Sequence, residues 1–204
     1  MIVTYYEQGS EDWNNSRCTI PTVSQFSKIV TTKGTKSTQW KQYLYTLAAG
    51  KFTDNSTNID SEWVSRGVEL EPEARASYEF LTDFDAHEVG IIYKDENRNV
   101  GASPDGLVES DIGLIGLEIK CPAPHTHIQY LMDKKLPSSY FQQVQGSLWV
   151  TGLPAWDFFS YHPDMPPFML RVEPDKEFHK TLDKYVPMFI AELNKTINTV
   201  KEAA

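Results

Sequence analysis

The hydrophobic periodicity of the chain changes along its length, and this change constrains the fold more than any other feature. Apolar residues recur at helical spacing at residues 22–30, 38–49, 61–82, 125–134 and 137–151, and Asp175 is placed to cap a long final helix. Short apolar runs between turn residues predict strands at residues 89–93, 100–103, 114–120, 155–161 and 168–172. Helices before and after a central sheet predict an α/β or α+β domain.

Prolines and one glycine mark special positions in these helices. Pro72 and Pro187 fall inside helical patterns, where the missing amide hydrogen predicts a kink. Pro137 is placed in the first turn of its helix, and Gly152 is placed at the end of the same helix.

The length of the chain fits one medium-sized domain, which we predict to span residues 1–204. Hydrophobic residues make up 40% of the sequence, which is enough to bury a core. No apolar run reaches the roughly 18 residues of a membrane span, and the first residues lack the apolar stretch of a signal peptide. Two cysteines alone build neither a disulfide framework nor a four-thiolate metal cluster. We therefore expect a soluble, cytosolic protein with no membrane partner.

Charge is distributed unevenly along the chain. The formal net charge is −9, yet the segment from Arg17 to Thr53 contains no Asp or Glu. This segment, called here the basic segment, contains the following bases: Arg17, Lys28, Lys33, Lys36, Lys41 and Lys51. It could face nucleic acid, with Trp40, Tyr43 and Tyr45 available for stacking on bases, or it could be a solvated lysine-rich surface.

Two carboxylates and a lysine stand out in Ser103-Pro104-Asp105-Gly106 and Leu117-Glu118-Ile119-Lys120. Side chains alternate along a strand, so Glu118 and Lys120 share one face, and a turn at residues 109–113 would return Asp105 to that strand. Carboxylate oxygens suit Mg²⁺ or Mn²⁺, which can neutralise charge developing on a phosphodiester, and a nearby lysine can orient the nucleophile. The same residues could instead form a turn and an exposed ion pair.

Two more polar residues fall where they could join this group. Glu71 shares a helical stripe with Ala74 and Tyr78, where a charge needs a partner or a metal, but Pro72 could rotate the stripe so that Glu71 only caps a helix. Gln143 follows Tyr140 by one helical turn and could reach the site or face solvent.

The order of these motifs resembles a known enzyme family. Asp105 followed by Glu118-Ile119-Lys120 is similar to the signature of the PD-(D/E)xK nuclease superfamily, the fold of many restriction enzymes. The surrounding residues resemble phage lambda-type exonucleases in order from about residue 7 to about residue 195, which is nearly the whole chain. The N-terminal part of the match consists of Gly9-Ser10-Glu11-Asp12-Trp13, Arg17, Ser24, Gly67, Glu71 and Ala74-Arg75. The rest consists of Ile92-Tyr93-Lys94-Asp95-Glu96, Ser103-Pro104-Asp105-Gly106-Leu107, Leu117-Glu118-Ile119-Lys120-Cys121-Pro122, Gln143-Val144-Gln145, Trp149-Val150-Thr151 and Ala155-Trp156.

The resemblance implies a restriction-endonuclease-like core with a central mixed β-sheet flanked by helices. It implies a Mg²⁺-dependent exonuclease, with Mn²⁺ as a substitute, that degrades one strand of linear double-stranded DNA from the 5′ end. Mononucleotides would be released, and a 3′ single strand would be left for phage homologous recombination by strand annealing. It further implies a homotrimer around DNA ends, a single-strand annealing protein as partner, and the cytoplasm of a bacterial host for a phage- or prophage-encoded protein.

The resemblance also implies roles for single residues. Asp105, Glu118 and the Ile119 carbonyl would bind the metal, and Lys120 would be the catalytic lysine. Glu71 and Gln143 would support the active site.

DNA contacts are expected from two sources. Arg17 and Ser24 fall where the family binds the terminal phosphate. From the basic segment we predict further contacts with DNA through Lys28, Lys36, Trp40 and Lys41.

Two other functions remain open. One is an endonuclease of the same superfamily that cuts at a structure or a sequence, and the other is a DNA-binding module whose carboxylates are structural. The sequence lacks a Walker phosphate loop, a dinucleotide fingerprint, a GxSxG elbow and a HExxH motif. His125 and His127 are predicted to be polar surface residues.

Overall fold

A mixed β-sheet forms the centre of the fold and carries the motif residues. The computed structural model describes residues 1–53 and 62–203, without the side chains of residues 62–68. Among these residues the larger sheet has five strands, in the order β2 (Ala86–His87), β5 (Gly106–Ser110), β6 (Gly113–Lys120), β7 (Trp156–Ser160) and β8 (Phe168–Val172). Neighbouring strands are antiparallel except for β6 and β7, which are parallel. The predicted α/β fold with a central mixed sheet is therefore confirmed.

Helices pack around this sheet and around a second, smaller one. The smaller sheet has the order β1 (Ile2–Val3), β3 (Ile92–Tyr93) and β4 (Gly101–Ala102). The α-helices are α1 (Glu11–Arg17), α2 (Trp40–Ala49), α3 (Glu62–Thr82), α4 (Pro124–Asp133), α5 (Phe141–Thr151) and α6 (Lys176–Glu202), and a 3₁₀ helix covers Val23–Lys28. Within the described part of the chain, no helix has the length and apolar character needed to cross a membrane.

The final helix shows how a predicted apolar stripe becomes a core. Asp175 caps α6 by accepting hydrogen bonds from the backbone N–H groups of Glu177 (3.1 Å) and Phe178 (3.0 Å), as predicted. The buried face of α6 packs on α2, where the centroids of the Phe189 and Trp40 rings are 5.0 Å apart. This packing fixes the position of the basic segment against the rest of the domain.

Several predicted elements differ from the observed ones. The first predicted helix is a 3₁₀ helix, and its tighter winding places Val23 and Phe26 against α5. The predicted start of α5 at Pro137 is wrong, because residues 137–140 form a turn in which the Tyr140 N–H donates to the Pro137 carbonyl at 2.9 Å. Pro72 and Pro187 lie inside α3 and α6, and the kinks predicted at these two positions stay predictions. The predicted start of α3 at Ser61 lies outside the described residues.

His127 is also not the surface residue that the sequence predicts. Its side chain is fully buried, with Nδ1 2.8 Å from the Ser160 hydroxyl and Nε2 donating to the Pro166 carbonyl at 2.9 Å. These two bonds tie α4 to the end of β7 and to the chain that follows it.

Candidate active site

The end of β6 brings the motif carboxylates together. Asp105 lies just before β5, and its backbone N–H donates to the Leu117 carbonyl at 3.1 Å. Its carboxylate Oδ2 accepts a hydrogen bond from the Ile119 N–H at 2.6 Å. These two bonds hold the Asp105 side chain beside the strand that carries Glu118, which is the geometry expected from the sequence.

Lys120 lies among the three groups that the resemblance assigns to a metal. Its ammonium contacts Glu118 Oε1, donates to the Ile119 carbonyl at 2.8 Å, and lies 3.8 Å from Asp105 Oδ2. The two carboxylates and the carbonyl therefore already converge on one positive charge.

These oxygen donors fit a hard divalent cation. Among the described residues, no group of three or more His, Cys, Asp or Glu side chains is close enough to hold a metal ion. The donor set is instead two carboxylates and one backbone carbonyl, all of them oxygen ligands of the kind that Mg²⁺ and Mn²⁺ prefer. Mg²⁺ typically keeps several waters or binds phosphate oxygens, so a small protein donor set suits it.

Burial and neighbouring charges shift the pKa values of Glu118 and Lys120. Burial raises the pKa of Glu118 to about 7, and the nearby Asp105 carboxylate adds to the rise, while Lys120 and Gln143 oppose it. Burial lowers the pKa of Lys120, but the carboxylates of Glu118 and Asp105 outweigh it, so the net shift is upward. Lys120 therefore stays charged, whereas Glu118 is present in both its protonated and its ionised form near neutral pH.

The two supporting residues named from the sequence lie beside this group. Gln143 on α5 donates from Nε2 to Glu118 Oε1 at 2.5 Å. Glu71 on α3 accepts a hydrogen bond from Arg75 at 3.0 Å, and its side chain is 32% exposed. Burial and the Asp105 carboxylate raise the pKa of Glu71, while Arg75 and Lys120 lower it.

One pocket joins the carboxylates to the residues expected to bind a terminal phosphate. Its volume is about 150 Å³. Its lining includes Arg17 and Ser24 together with Asp105, Glu118, Lys120 and Gln143. The Arg17 guanidinium lies 3.9 Å from the centroid of the Trp13 ring, and burial lowers its pKa. A cation, a serine hydroxyl and the carboxylate group thus share one small space.

Ser103 is a pocket residue to which sequence reasoning gave no role. It lines the same pocket, and its Oγ is buried without a hydrogen-bond partner in the described part of the chain. A buried hydroxyl of this kind is costly unless a ligand or water completes its bonding. Its position directly before Pro104 and Asp105 was the available signal.

The predicted stacking of bases on Trp40 is wrong. Trp40 is 1% exposed, and its indole N–H donates to Glu192 Oε2 at 2.8 Å, so its ring belongs to the core between α2 and α6. Tyr43 is also buried, at 6% exposed, whereas Tyr45 is 57% exposed and presents its ring to solvent.

The predicted DNA-binding lysines lie outside the pocket. Lys28 is partly buried, with its ammonium 5.5 Å from the Tyr43 ring centroid. Lys36 lies 4.0 Å from the Trp40 ring centroid and 3.9 Å from Glu192 Oε2, and Lys41 is exposed at the start of α2. The structure thus places these three lysines outside the pocket that Arg17, Ser24 and the carboxylates line.

Comparisons with known proteins bear on the family and the fold of the chain. A family model described as a YqaJ-like viral recombinase domain matches residues 12–154. The chain is similar to a solved alkaline exonuclease, LHK-Exo from Laribacter hongkongensis, with 32% identity, a TM-score of 0.83, and 95% of this chain and 97% of that chain covered. It is also similar to LHK-Exo in complex with dAMP, with 33% identity, a TM-score of 0.84 and the same coverage.

Two further matches are more limited. A phage related exonuclease from Haemophilus somnus 129PT has 14% identity and a TM-score of 0.67, covers 92% of this chain and 99% of its own, and supports the fold alone. The Escherichia coli (strain K12) protein ExoD is 34% identical over 65 residues, which are 30% of this chain and 75% of ExoD.

Proposed function

The chain belongs to the YqaJ-like viral recombinase domain family, and we propose that it is a divalent-metal-dependent DNA exonuclease. In this proposal it degrades one strand of linear duplex DNA from the 5′ end and leaves a 3′ single strand for recombination by annealing. The similarity to the alkaline exonuclease LHK-Exo supports the exonuclease activity, and the dAMP complex of that protein supports mononucleotides as products.

The observation that carries the proposal is the shared pocket. An enzyme that acts at a strand end must hold that end at a fixed distance from its reaction centre. Arg17, Ser24 and the unpartnered Ser103 hydroxyl offer hydrogen bonds to an anion, and they line the same space as Asp105 and Glu118. A terminal 5′ phosphate held there would place the first internucleotide phosphate near the carboxylates.

Each residue of the carboxylate group has a distinct task in this proposal. Asp105, Glu118 and the Ile119 carbonyl would hold Mg²⁺, with Mn²⁺ as a substitute. The cation, when bound, neutralises charge on the scissile phosphate and lowers the pKa of water. Lys120 donates hydrogen bonds to the attacking water or to the phosphate oxygens, where its raised pKa keeps it charged.

Two side chains support this group from neighbouring helices. Gln143 fixes the Glu118 carboxylate through its amide. Glu71 adds negative charge near Asp105 from α3, which strengthens the attraction for a cation.

The assembly and setting are part of the proposal. We propose a single nuclease domain over residues 1–204, a homotrimer around the DNA, and a single-strand annealing protein as partner. The viral recombinase family supports a phage or prophage origin and action in the cytoplasm of a bacterial host.

A strand-labelled digestion tests the proposal. Linear duplex DNA with a 5′ phosphate carries its label at the 5′ or the 3′ end and is incubated with and without Mg²⁺. We expect the 5′ label to be released first as a mononucleotide, only with Mg²⁺, while a closed circle stays intact. Asp105→Asn, which keeps a hydrogen-bond acceptor for the Ile119 N–H, should reduce the rate about a thousandfold.

Other outcomes of this digestion separate the alternatives. Cutting of the closed circle would identify an endonuclease. Binding of DNA without cleavage in Mg²⁺ or Mn²⁺ would identify a binding module. Early release of the 3′ label would contradict the proposed polarity.

A further inference from the structure

Arg75 connects the supporting residue Glu71 with the backbone of the proposed metal ligand Asp105. It lies on α3 one helical turn after Glu71, and its side chain is only 11% exposed. Nη1 donates to the backbone carbonyl of Asp105 at 2.5 Å, and Nη2 donates to Glu71 Oε1 at 3.0 Å. Nη2 also lies 3.3 Å from Glu88 Oε1, and the Glu88 side chain is 70% exposed.

With the hydrogen bond from Arg75, both backbone polar groups of Asp105 have a partner. The Asp105 N–H donates to the Leu117 carbonyl, and the Asp105 carbonyl accepts from Arg75. The backbone that carries the carboxylate is thus fixed to β6 and to α3 at once. Arginine suits this task because its rigid planar fork presents Nη1 to one acceptor and Nη2 to the other, whereas lysine has a single nitrogen on a flexible stem.

Gly106, the residue after Asp105, lies next to the contact between Arg75 and the Asp105 carbonyl. A Cβ atom at Gly106 would lie 3.1 Å from Arg75 Nη1, closer than ordinary contact allows. Its next neighbours would be Ala86 Cβ at 3.5 Å and the His87 carbonyl at 3.7 Å, which are ordinary contacts. A side chain at Gly106 would therefore press on the guanidinium that binds the Asp105 carbonyl, and the two groups would have to move apart by a few tenths of an ångström.

We propose that Arg75 is a positioning residue of the metal site: by binding the Asp105 carbonyl and Glu71 together, it fixes the backbone that carries the Asp105 carboxylate and the supporting charge of Glu71, so that Asp105 can bind a divalent cation. It also places a fixed positive charge behind a cluster of acidic groups that would otherwise repel one another. The inference rests on the proposed function for its cation, but it concerns binding of the cation and not cleavage of DNA.

Calorimetric titration with Mn²⁺ in the absence of DNA tests this inference directly. Arg75→Lys keeps the charge but replaces the two separate donor nitrogens with one, so it should loosen both contacts and weaken Mn²⁺ binding on the order of 10- to 100-fold, as found when residues that orient metal ligands are changed. The Mg²⁺ concentration for half-maximal cleavage should rise by a similar factor, while the rate at saturating Mg²⁺ recovers in part. Glu88→Gln is the matched control, and it should change Mn²⁺ binding by less than about twofold because Glu88 is largely exposed.

A second variant covers the case in which Arg75→Lys does not fold. Gly106→Ala leaves Arg75 in place but crowds Nη1, so it should weaken Mn²⁺ binding in the same direction. Folded Arg75→Lys or Gly106→Ala protein that binds Mn²⁺ as tightly as the wild type would overturn the inference, even if cleavage is impaired. Conversely, if the wild type binds Mn²⁺ in an Arg75-dependent way but cleaves no DNA, the proposed function fails and the inference stands.

Discussion

Arg17 shows how a single side chain could distinguish a strand end from continuous backbone. Among the described side chains, no carboxylate forms an ion pair with Arg17. Its guanidinium instead stacks on Trp13 at the wall of the pocket that Ser24 and Ser103 also line. A planar guanidinium can bind a terminal phosphate through two hydrogen bonds, and losing a charged hydrogen-bonding partner of this kind costs about 1.5–3 kcal/mol.

We therefore expect Arg17→Ala to slow digestion of 5′-phosphorylated ends by roughly 10- to 150-fold, with a much smaller effect on 5′-hydroxyl ends. Initial rates on the two substrates provide the measurement. Arg98→Ala is the control, because Arg98 also lies near an aromatic ring, 5.4 Å from the Tyr93 centroid, but does not line the pocket. An equal loss on both substrates would remove Arg17 from end recognition.

The pKa of Glu118 predicts how cation binding depends on pH. Burial raises this pKa to about 7, so the neutral form is populated below that pH and must lose its proton before the carboxylate binds a cation. Mn²⁺ affinity should therefore rise as pH increases from 6 to 8, by about tenfold per unit below pH 7. Without metal, the same raised pKa means that Glu118 contributes progressively less to stability as pH rises from the ordinary carboxyl value to about 7.

Titrations with Mn²⁺ at pH 6, 7 and 8, without DNA, measure this dependence. Glu118→Gln provides the matched control for stability, because it removes the titrating proton, and its thermal unfolding should respond less to pH over this range. Affinity that stays constant between pH 6 and pH 8 would show that Glu118 is already ionised at the lower pH.

At the scale of elements, the pocket depends on how closely the 3₁₀ helix approaches α5. Gly146 on α5 is buried, and a Cβ atom there would lie 2.7 Å from Phe26 Cδ2 and 3.2 Å from Val23 Cγ1. The 3₁₀ helix carries Ser24 and α5 carries Gln143, so this contact sets the distance between two walls of the pocket.

Gly146→Ala should lower the free energy of unfolding by about 1–3 kcal/mol, because the added methyl group overpacks the contact with Phe26. Urea denaturation measures the change. Ser27→Ala on the exposed side of the same 3₁₀ helix is the control and should stay within about 0.5 kcal/mol of the wild type. An unchanged free energy of unfolding for Gly146→Ala would mean that the 3₁₀ helix and α5 can move apart without loss of stability.

Elements that are determined by local interactions were predicted from the sequence, whereas elements that form only through contacts with distant segments were missed. Helix α6 and strand β8 were predictable because their caps and apolar spacing are local, and β8 has the predicted bounds. Strand β5 was missed because Pro-Asp-Gly and the acids around residue 110 are typical of a turn, and only pairing with β6 makes the segment a strand. In the smaller sheet, β3 and β4 lie inside the predicted strands at residues 89–93 and 100–103, whereas β1 was missed because its two residues are too few for a period to appear.

The residues of the candidate site also divide into those that a local motif predicts and those that depend on contacts between distant segments. Asp105, Glu118 and Lys120 follow from one motif and from the alternation of side chains along a strand. Ser103 and Arg75 gain their importance from contacts between distant segments, such as the bond from Arg75 on α3 to the Asp105 carbonyl. Trp40 was assigned wrongly because its partner, Glu192, lies 152 residues away along the chain.

At the scale of the whole molecule, charge separates into a basic N-terminal part and an acidic remainder. Residues 1–53 have a net charge of +3, which leaves −12 for the other 151 residues. The two parts meet where α2 packs on α6, and there Glu192 lies 3.9 Å from the Lys36 ammonium. The basic surface is therefore partly neutralised at Lys36, whereas Lys33 and Lys41 are exposed and form no ion pair among the described residues.

This difference predicts which lysines determine the salt dependence of DNA binding. Each phosphate contact contributes about −0.9 to the slope of log affinity against log salt concentration, so Lys33→Gln with Lys41→Gln should flatten the slope by about 1 to 2. Lys36→Gln should flatten it by less, because Glu192 already neutralises part of that charge. The measurement is the affinity for duplex DNA between 50 and 200 mM salt (roughly the range in which such contacts dominate), in Ca²⁺ to limit cleavage.

The control is Lys195→Gln with Lys201→Gln, which removes the same charge from exposed positions on α6. If the location of the lysines determines the effect, the Lys195 and Lys201 double variant leaves the slope of log affinity against log salt concentration unchanged. The Lys33 and Lys41 double variant then flattens that slope. Equal flattening by both pairs would show that only net charge acts, and an unchanged slope in both would make the basic segment a solvated surface. The DNA-facing role of the basic segment thus depends on where its charges lie, because a chain with a net charge of −9 repels DNA unless its positive residues are concentrated on one side.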